Sequence, residues 1–286
     1  MATLAFTRSG TGPPLVLLHP LGSSSRVWAP VLPALAERFD VVAVDLPGFG
    51  RSDPLPPPQE LSPAVLAGCV ADLLDDLGVP APHVVGNSLG GWVALELAGR
   101  RPVASLTLLA PAGLWRRNTP LYCRVSLRAT RWLARYAARP LRRLVDFRLG
   151  RVVVLGQTHG RPARMTAAQA RQAIVDLGSC AGFDATFRAT LRRHYESLPV
   201  EAPVVVAFGS RDLVLLPFQS RHLERLPRGT VRATLPGCGH LPVADDPEAV
   251  AALITAWADP VPRSGRRRPA PSGGAEHEST ATSRQR

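Results

Sequence analysis

The residues best placed to do chemistry lie in the run His83-Val84-Val85-Gly86-Asn87-Ser88-Leu89-Gly90-Gly91-Trp92. A short β-branched stretch leads into Gly-x-Ser-x-Gly, and a helical pattern from Leu89 to Gly99 follows at once. That order is the signature of a nucleophile elbow. Its serine sits on a turn tight enough to force an unfavourable backbone conformation. Gly86 and Gly90 let strand and helix approach without Cβ clashes. The turn lifts the Ser88 hydroxyl off the sheet edge into a cleft, towards which the helix aims its free N–H groups. A serine hydroxyl is a poor nucleophile at neutral pH. It needs a base, and the base needs a carboxylate to orient it.

Candidates for both lie downstream. Pro203 to Phe208 reads as a buried strand that ends in a loop carrying Asp212. Arg232 to Leu235 reads as another, ending in a Gly-rich loop carrying His240. Ser88, Asp212 and His240 therefore all follow the carboxyl ends of predicted strands. In an open parallel sheet those ends share one crevice, where ligands bind. The competing assignments are structural: Asp212 as a turn cap and His240 as a loop histidine. His83, His159, His194, His222 and His277 do not follow a strand in the required place.

The elements that must hold these residues alternate along the chain. Strands are predicted near 3–6, 15–18, 40–45, 83–86, 104–109, 203–208 and 230–235, and helices near 26–37, 62–77, 89–100, 217–226 and 247–258. This pattern predicts an α/β fold, a mostly parallel central sheet with helices on both faces. A further strand, Pro14 to Leu18, runs into His19-Pro20-Leu21-Gly22, and Val41 to Val44 runs into Asp45-Leu46-Pro47-Gly48-Phe49-Gly50.

With these motifs the chain resembles the α/β-hydrolase superfamily, in its serine-nucleophile, esterase- and lipase-like branch with a helical cap. The resemblance covers about residues 1–112 and 199–258. It implies the chain order nucleophile, acid, histidine, which Ser88, Asp212 and His240 satisfy. Some members carry the acid one strand earlier, but Pro111-Ala112-Gly113-Leu114 has no carboxylate. The family builds an oxyanion hole from the residue after the nucleophile, here Leu89, and from the loop after the first buried strand. Pro20 stands where glycine is usual and has no N–H, so the matching donor is Leu21. Asp45 is expected to hydrogen-bond its own loop, and Asp246-Pro247 to start the last helix.

The domains expected are a hydrolase core over 1–112 and 199–259, a helical cap inserted over 113–198, and a disordered basic tail over 260–286. Charge follows this division. All 34 basic residues are arginine. Residues 111–198 hold 17 of them against four acids, a local excess of +13, so the whole net charge of +12 comes from cap and tail. Arg124, Arg128, Arg131, Arg135 and Arg139 recur at helical spacing beside an apolar face of Tyr122, Val125, Ala129, Trp132, Leu133 and Tyr136, with Pro140 expected to end the helix. The bland reading is a lid helix that packs this apolar face on the core, its arginines reflecting a GC-rich genome. The sharper reading is a weak contact between the stripe and an anionic membrane surface. No nucleic-acid module is visible, and no nucleic-acid partner is expected.

The expected activity is cofactor-independent, metal-free cleavage of a carboxylic ester or related acyl compound, with a small acyl molecule as substrate. Epoxide hydrolases and dehalogenases of this superfamily need Asp at position 88. C–C bond hydrolases share a Gly-Asn-Ser-x-Gly-Gly elbow but usually place Trp where Leu241 stands. Perhydrolase-like members keep the same three residues, and a non-catalytic ligand-binding protein is the last alternative. No apolar run approaches a membrane span, and no signal peptide is read at Met1 to Phe6. Cys69, Cys123, Cys180 and Cys238 show no metal spacing and read as reduced thiols in a cytoplasmic protein.

Overall fold

Strand residues one apart point to opposite faces of a sheet, and that alternation builds two separate cores here. The computed structural model describes residues 3–56 and 59–258. The first strands are β1 (Phe6–Ser9), β2 (Pro14–Leu18) and β3 (Asp40–Val44), with the short helix α1 (Leu32–Ala36) before β3. They are followed by α2 (Pro63–Asp76), β4 (His83–Asn87), α3 (Leu89–Ala98) and β5 (Ser105–Leu109). Val16, Leu18, Val42, Val44 and Val84 pack with Leu66, Val70 and Leu74 of α2 and Val93 of α3. Leu15, Leu17, Val41, Ala43 and Val85 face the other way, onto Trp28 and Leu35. Each such side chain removed from water contributes about 1.5–3 kcal/mol.

Between β5 and the next strand lie five helices. They are α4 (Leu121–Tyr136), α5 (Ala138–Leu144), α6 (Arg148–Leu155), α7 (Ala167–Ser179) and α8 (Phe183–Thr190). The chain then returns through β6 (Val204–Gly209), α9 (Pro217–Ser220), β7 (Val231–Leu235), α10 (Pro242–Asp245) and α11 (Pro247–Ala258). The strand order is β1-β3-β2-β4-β5-β6-β7, parallel except for the antiparallel edge strand β1. The fold is that of an α/β hydrolase, and β2, β4, β6 and β7 all end at the same edge.

Three elements differ from the sequence reading. The first strand spans Phe6–Ser9, not 3–6, and its outward residues are mostly exposed. An edge strand of this kind has no hydrophobic pattern to locate it, and its register is fixed by pairing Phe6 with Val44. The helix expected over 26–37 is a 3-10 turn (Ser25–Trp28) and the short α1, interrupted near Pro30 and Pro33. Over 217–226 the chain forms only α9 and a second 3-10 turn (Leu223–Arg225), with His222 between them. The tail from 260 onward and Asp259 lie outside the described residues.

The elbow depends on the absence of two side chains. A Cβ on Gly86 would collide with the carbonyl of Gly90, and one on Gly90 with the carbonyl of Leu18. Gly68, inside α2, has open space around it. Gly90→Ala should therefore cost about 1–3 kcal/mol or more, lowering the melting temperature by about 2–4 °C per kcal/mol. Gly68→Ala should instead stabilise by about 0.5–1 kcal/mol. Thermal melts of the two variants would check this contrast, and equal effects would contradict it.

Candidate active site

Ser88 joins β4 to α3 with φ 54° and ψ −113°, outside the regions open to an L-residue. Three backbone hydrogen bonds hold it there. Its N–H donates to Leu109 O at 3.0 Å, and its carbonyl accepts from Ala112 N at 2.9 Å and Trp92 N at 3.2 Å. Such a conformation costs on the order of 1–3 kcal/mol, which the surrounding ladder offsets.

The structure brings the three sequence candidates into one hydrogen-bonded chain. His240 Nε2 lies 2.9 Å from Ser88 Oγ, and His240 Nδ1 lies 3.1 Å from Asp212 Oδ2. The other carboxylate oxygen, Oδ1, accepts from Val214 N at 2.8 Å and Leu215 N at 2.9 Å. All three residues are buried. Burial would raise the Asp212 carboxyl, but His240 and the two N–H donors outweigh it and hold the carboxyl below its ordinary range. With Asp212 accepting at Nδ1, that nitrogen carries a proton and Nε2 faces the serine hydroxyl as acceptor. Asn87 ties the arrangement together: its Nδ2 donates to Leu109 O and to the carbonyl of His240, at 2.8 Å and 3.1 Å.

Leu21, Ser88, Leu89 and His240 all border one cavity of about 420 Å³. Leu89 is the first residue of α3, so its N–H has no partner within the helix. Preceding Leu21, the buried His19 accepts from Leu46 N at 3.0 Å through Nε2 and lies 2.9 Å from Pro20 O through Nδ1. The acceptor role at Nε2 makes Nδ1 the donor, and burial lowers the imidazole pKa. His19 is thus a neutral strut that fixes the loop bearing Leu21. Asp45 serves the adjoining loop, accepting from Ser25 N at 2.6 Å and Arg51 N at 3.0 Å.

The inserted helices roof this cavity and reach both loops that carry its polar residues. Tyr122 Oη donates to Leu213 O at 2.7 Å and Cys123 Sγ to Val214 O at 3.1 Å, beside Asp212. At the other end Asp245 accepts from Gly160 N and Arg161 N at 2.8 Å and from Gly239 N at 2.7 Å, beside His240. Sequence reasoning missed Asp245, because nothing in an Asp-Asp-Pro run says which carboxylate folds back onto a distant loop. Asp246 is the helix cap, accepting from Ala249 N at 3.1 Å. His159 is buried beside the same cavity, with its imidazole pKa lowered by that burial. Cys238 is buried, and burial with nearby Asp245 and Asp246 pushes its thiol up to about 11, so it is no thiolate nucleophile. Among the described residues no cluster of three or more His, Cys, Asp or Glu could hold a metal. None of their helices is long and apolar enough to cross a membrane.

The arginine stripe divides. Arg124, Arg128, Arg135 and Arg139 are exposed, whereas Arg131 is buried. Its guanidinium donates to Leu177 O and, at 3.0 Å, to Cys180 O, and stacks over Phe183. The face of α4 turned inward is Cys123, Leu127, Thr130 and Ala134, not the Trp132 face of the bland lid reading.

With this sheet and this elbow, the molecule is an α/β hydrolase. The chain belongs to the alpha/beta hydrolase family, whose sequence profile matches residues 15–253. It is 34% identical over 260 residues to a pimeloyl-[acyl-carrier protein] methyl ester esterase of Methylococcus capsulatus, covering 86% of this chain and 94% of that one. It is 32% identical over 203 residues to epoxide hydrolase EphH of Mycobacterium tuberculosis, covering 69% of this chain and 95% of that one. Its fold is similar to that of a thermophilic esterase from Thermogutta terrifontis, with a TM-score of 0.71, 23% identity, and coverage of 90% and 93%. Esterase-like and epoxide-hydrolase relatives together place this chain among hydrolases.

The two aspartates give a direct test. Asp212→Asn should depress turnover by about 10³–10⁴-fold, through the wrong tautomer and a less stable imidazolium. Asp45→Asn should act on stability instead. Because the folded-state Asp212 carboxyl is held below its unfolded value of about 3.9, the stability it contributes is present above that pH. It fades as pH falls through the folded value. The stability gap between the native chain and Asp212→Asn should therefore narrow on acidification, as thermal melts at pH 7 and at about pH 3 would show. An unchanged gap would contradict the ionised assignment.

Proposed function

We propose that the chain is a serine hydrolase that cleaves a carboxylic ester or related acyl compound through an acyl-enzyme intermediate. The observation that carries this reading is the hydrogen bond between Ser88 Oγ and His240 Nε2, with Asp212 behind the imidazole. In the first half-reaction His240 takes the Ser88 proton as Oγ attacks the acyl carbon. The Leu21 and Leu89 N–H groups receive the developing oxyanion, donors of a kind worth roughly 3–4 kcal/mol each in the transition state. His240 then returns the proton to the leaving alcohol. In the second half-reaction it takes a proton from the water that attacks the acyl-serine, then gives that proton to Ser88 Oγ as the C–O bond breaks and the acid is freed.

The substrate side of the reading rests on the cavity. Its walls above Ser88 are apolar, among them Leu127, Ile174, Leu177 and Phe187, and suit a hydrocarbon acyl group better than a charged one. The methyl ester esterase relative points the same way. The epoxide hydrolase relative does not, since Ser88 stands at the position where epoxide hydrolases of this superfamily need aspartate.

Ser88→Ala should abolish covalent labelling by a fluorophosphonate probe and lower ester hydrolysis by several orders of magnitude, since such residues act as a unit. His240→Ala should lose activity comparably. Undiminished labelling of Ser88→Ala, read by gel fluorescence, would point to a different nucleophile.

A further inference from the structure

We infer that the outer face of the inserted helices is a docking surface for an anionic lipid bilayer, from which acyl chains pass to Ser88. The substrate half of this inference rests on the acyl-ester reading above. The surface half stands on geometry alone.

Helix α4 has three sides. One, bearing Cys123, Leu127 and Ala134, faces the cavity. The opposite side is apolar and lies in solvent: Val125 is 60% exposed, Trp132 59% and Tyr136 67%. Elsewhere in the insertion, just before and within α6, Phe147, Leu149 and Val153 are 69–74% exposed. A soluble surface rarely leaves so much large apolar area uncovered without a partner.

Two further observations say what covers it. The first is continuity. Leu133, Leu144 and Val153 are exposed and also line the Ser88 cavity, so the apolar outer surface runs into the apolar interior at the mouth. An acyl chain leaving a bilayer there would not cross water. The second is charge. At 100° per residue, Arg124, Arg128 and Arg135 border the apolar side of α4, and Arg139 continues beyond it. All four are exposed, and none has a carboxylate within salt-bridge distance among the described residues. Elsewhere in the insertion three arginines are paired with carboxylates among the described residues: Arg161 with Asp246 and Arg193 with Glu60, both at 2.7 Å, and Arg171 with Asp146. Aromatic and aliphatic side chains edged by arginines that lack a carboxylate partner, Arg135 lying over the Tyr136 ring, match an interfacial helix on anionic lipid. A second copy using the same face would bring a like-charged stripe into the contact, which offers these arginines less than an anionic surface does.

The test uses the full chain, as wild type and as Ser88→Ala, in sedimentation with vesicles of phosphatidylcholine alone or mixed equally with phosphatidylglycerol. Both proteins should bind the anionic vesicles at about 0.1 M salt and release them at about 1 M, where the Debye length falls from about 10 Å to about 3 Å. R124Q/R128Q/R135Q/R139Q should weaken anionic binding at least about a hundredfold, each arginine near the surface counting roughly fivefold. W132Q/Y136Q should weaken it about tenfold. Neither should change turnover of dissolved p-nitrophenyl acetate by more than about twofold, which also reports that they fold. The inference falls if wild type ignores anionic vesicles while cleaving the dissolved ester. It falls equally if both variants bind as wild type does, which would assign binding to Arg266, Arg267 and Arg268 of the tail. A dimer that W132Q/Y136Q dissociates, or capture by an acidic protein without vesicle binding, would also overturn it. Vesicle binding by a chain that cleaves no ester would leave the docking surface standing and remove the acyl-ester reading instead.

Discussion

Everything in the site depends on how closely β4 and α3 approach at Ser88. The serine is held at φ 54° because the strand ends, turns and begins a helix within one residue. That turn closes only where Gly86, Gly90 and the carbonyl of Leu18 can meet without a side chain between them. From the turn follow the direction of the Ser88 hydroxyl and the free N–H of Leu89. The rest of the sheet serves as an anvil. Its backbone ladder and two apolar faces make the strained conformation the cheapest one available.

Acid and base reach the serine from loops that would otherwise be loosely held. Each loop is tied down twice. Asp212 spends one carboxylate oxygen on the backbone of Val214 and Leu215, so only the other is left for the imidazole. His240 is gripped through its own carbonyl by Asn87, and its glycine neighbour by Asp245. These are hydrogen bonds between buried groups, and losing one partner would leave the other unsatisfied at a cost of about 1–3 kcal/mol. Precision here comes from backbone groups used as fixed donors and acceptors.

Much of this was legible in the sequence, for reasons that differ by element. Central strands such as Leu15 to Leu18 and Val84 to Val85 are apolar on both faces and announce themselves. The elbow carries its steric requirement as a spacing of glycines. Asp212 and His240 could be found because chemistry restricts where along an α/β chain they may stand. Strand β1 was misplaced because an exposed edge has no pattern. The helices near Pro30 and Pro217 were overextended because periodicity says little over a few residues. The orientation of α4 is the least legible feature. The sequence allows its apolar face either to pack on the core or to meet an outer surface; Val125, Trp132 and Tyr136 lie outward, while Leu133 also borders the cavity and Arg131 lies inward. Hydrophobic pattern tells which residues share a side of a helix, but a helix with two apolar sides does not say which one the fold will use. Asp245 left no signal at all, since two of its three backbone partners, Gly160 and Arg161, are more than eighty residues away.

The bonds from Tyr122 and Cys123 to the Asp212 loop, and from Asp245 to Gly160 and Arg161, tie the roof to both loops that carry the acid and the base. Such a roof cannot lift like a hinged door without dragging the acid or the histidine loop with it. Between those ties the roof runs through α5 and the start of α6. There Leu144 and Val153 are the only exposed sills on the cavity wall contributed by those two helices among the described residues. A substrate that forces the roof open from the wrong side therefore disarms the site it is entering. The bonds that hold the acid and histidine loops therefore also oppose any opening that pulls on those loops, and so bias the direction of approach before any pocket contact is made.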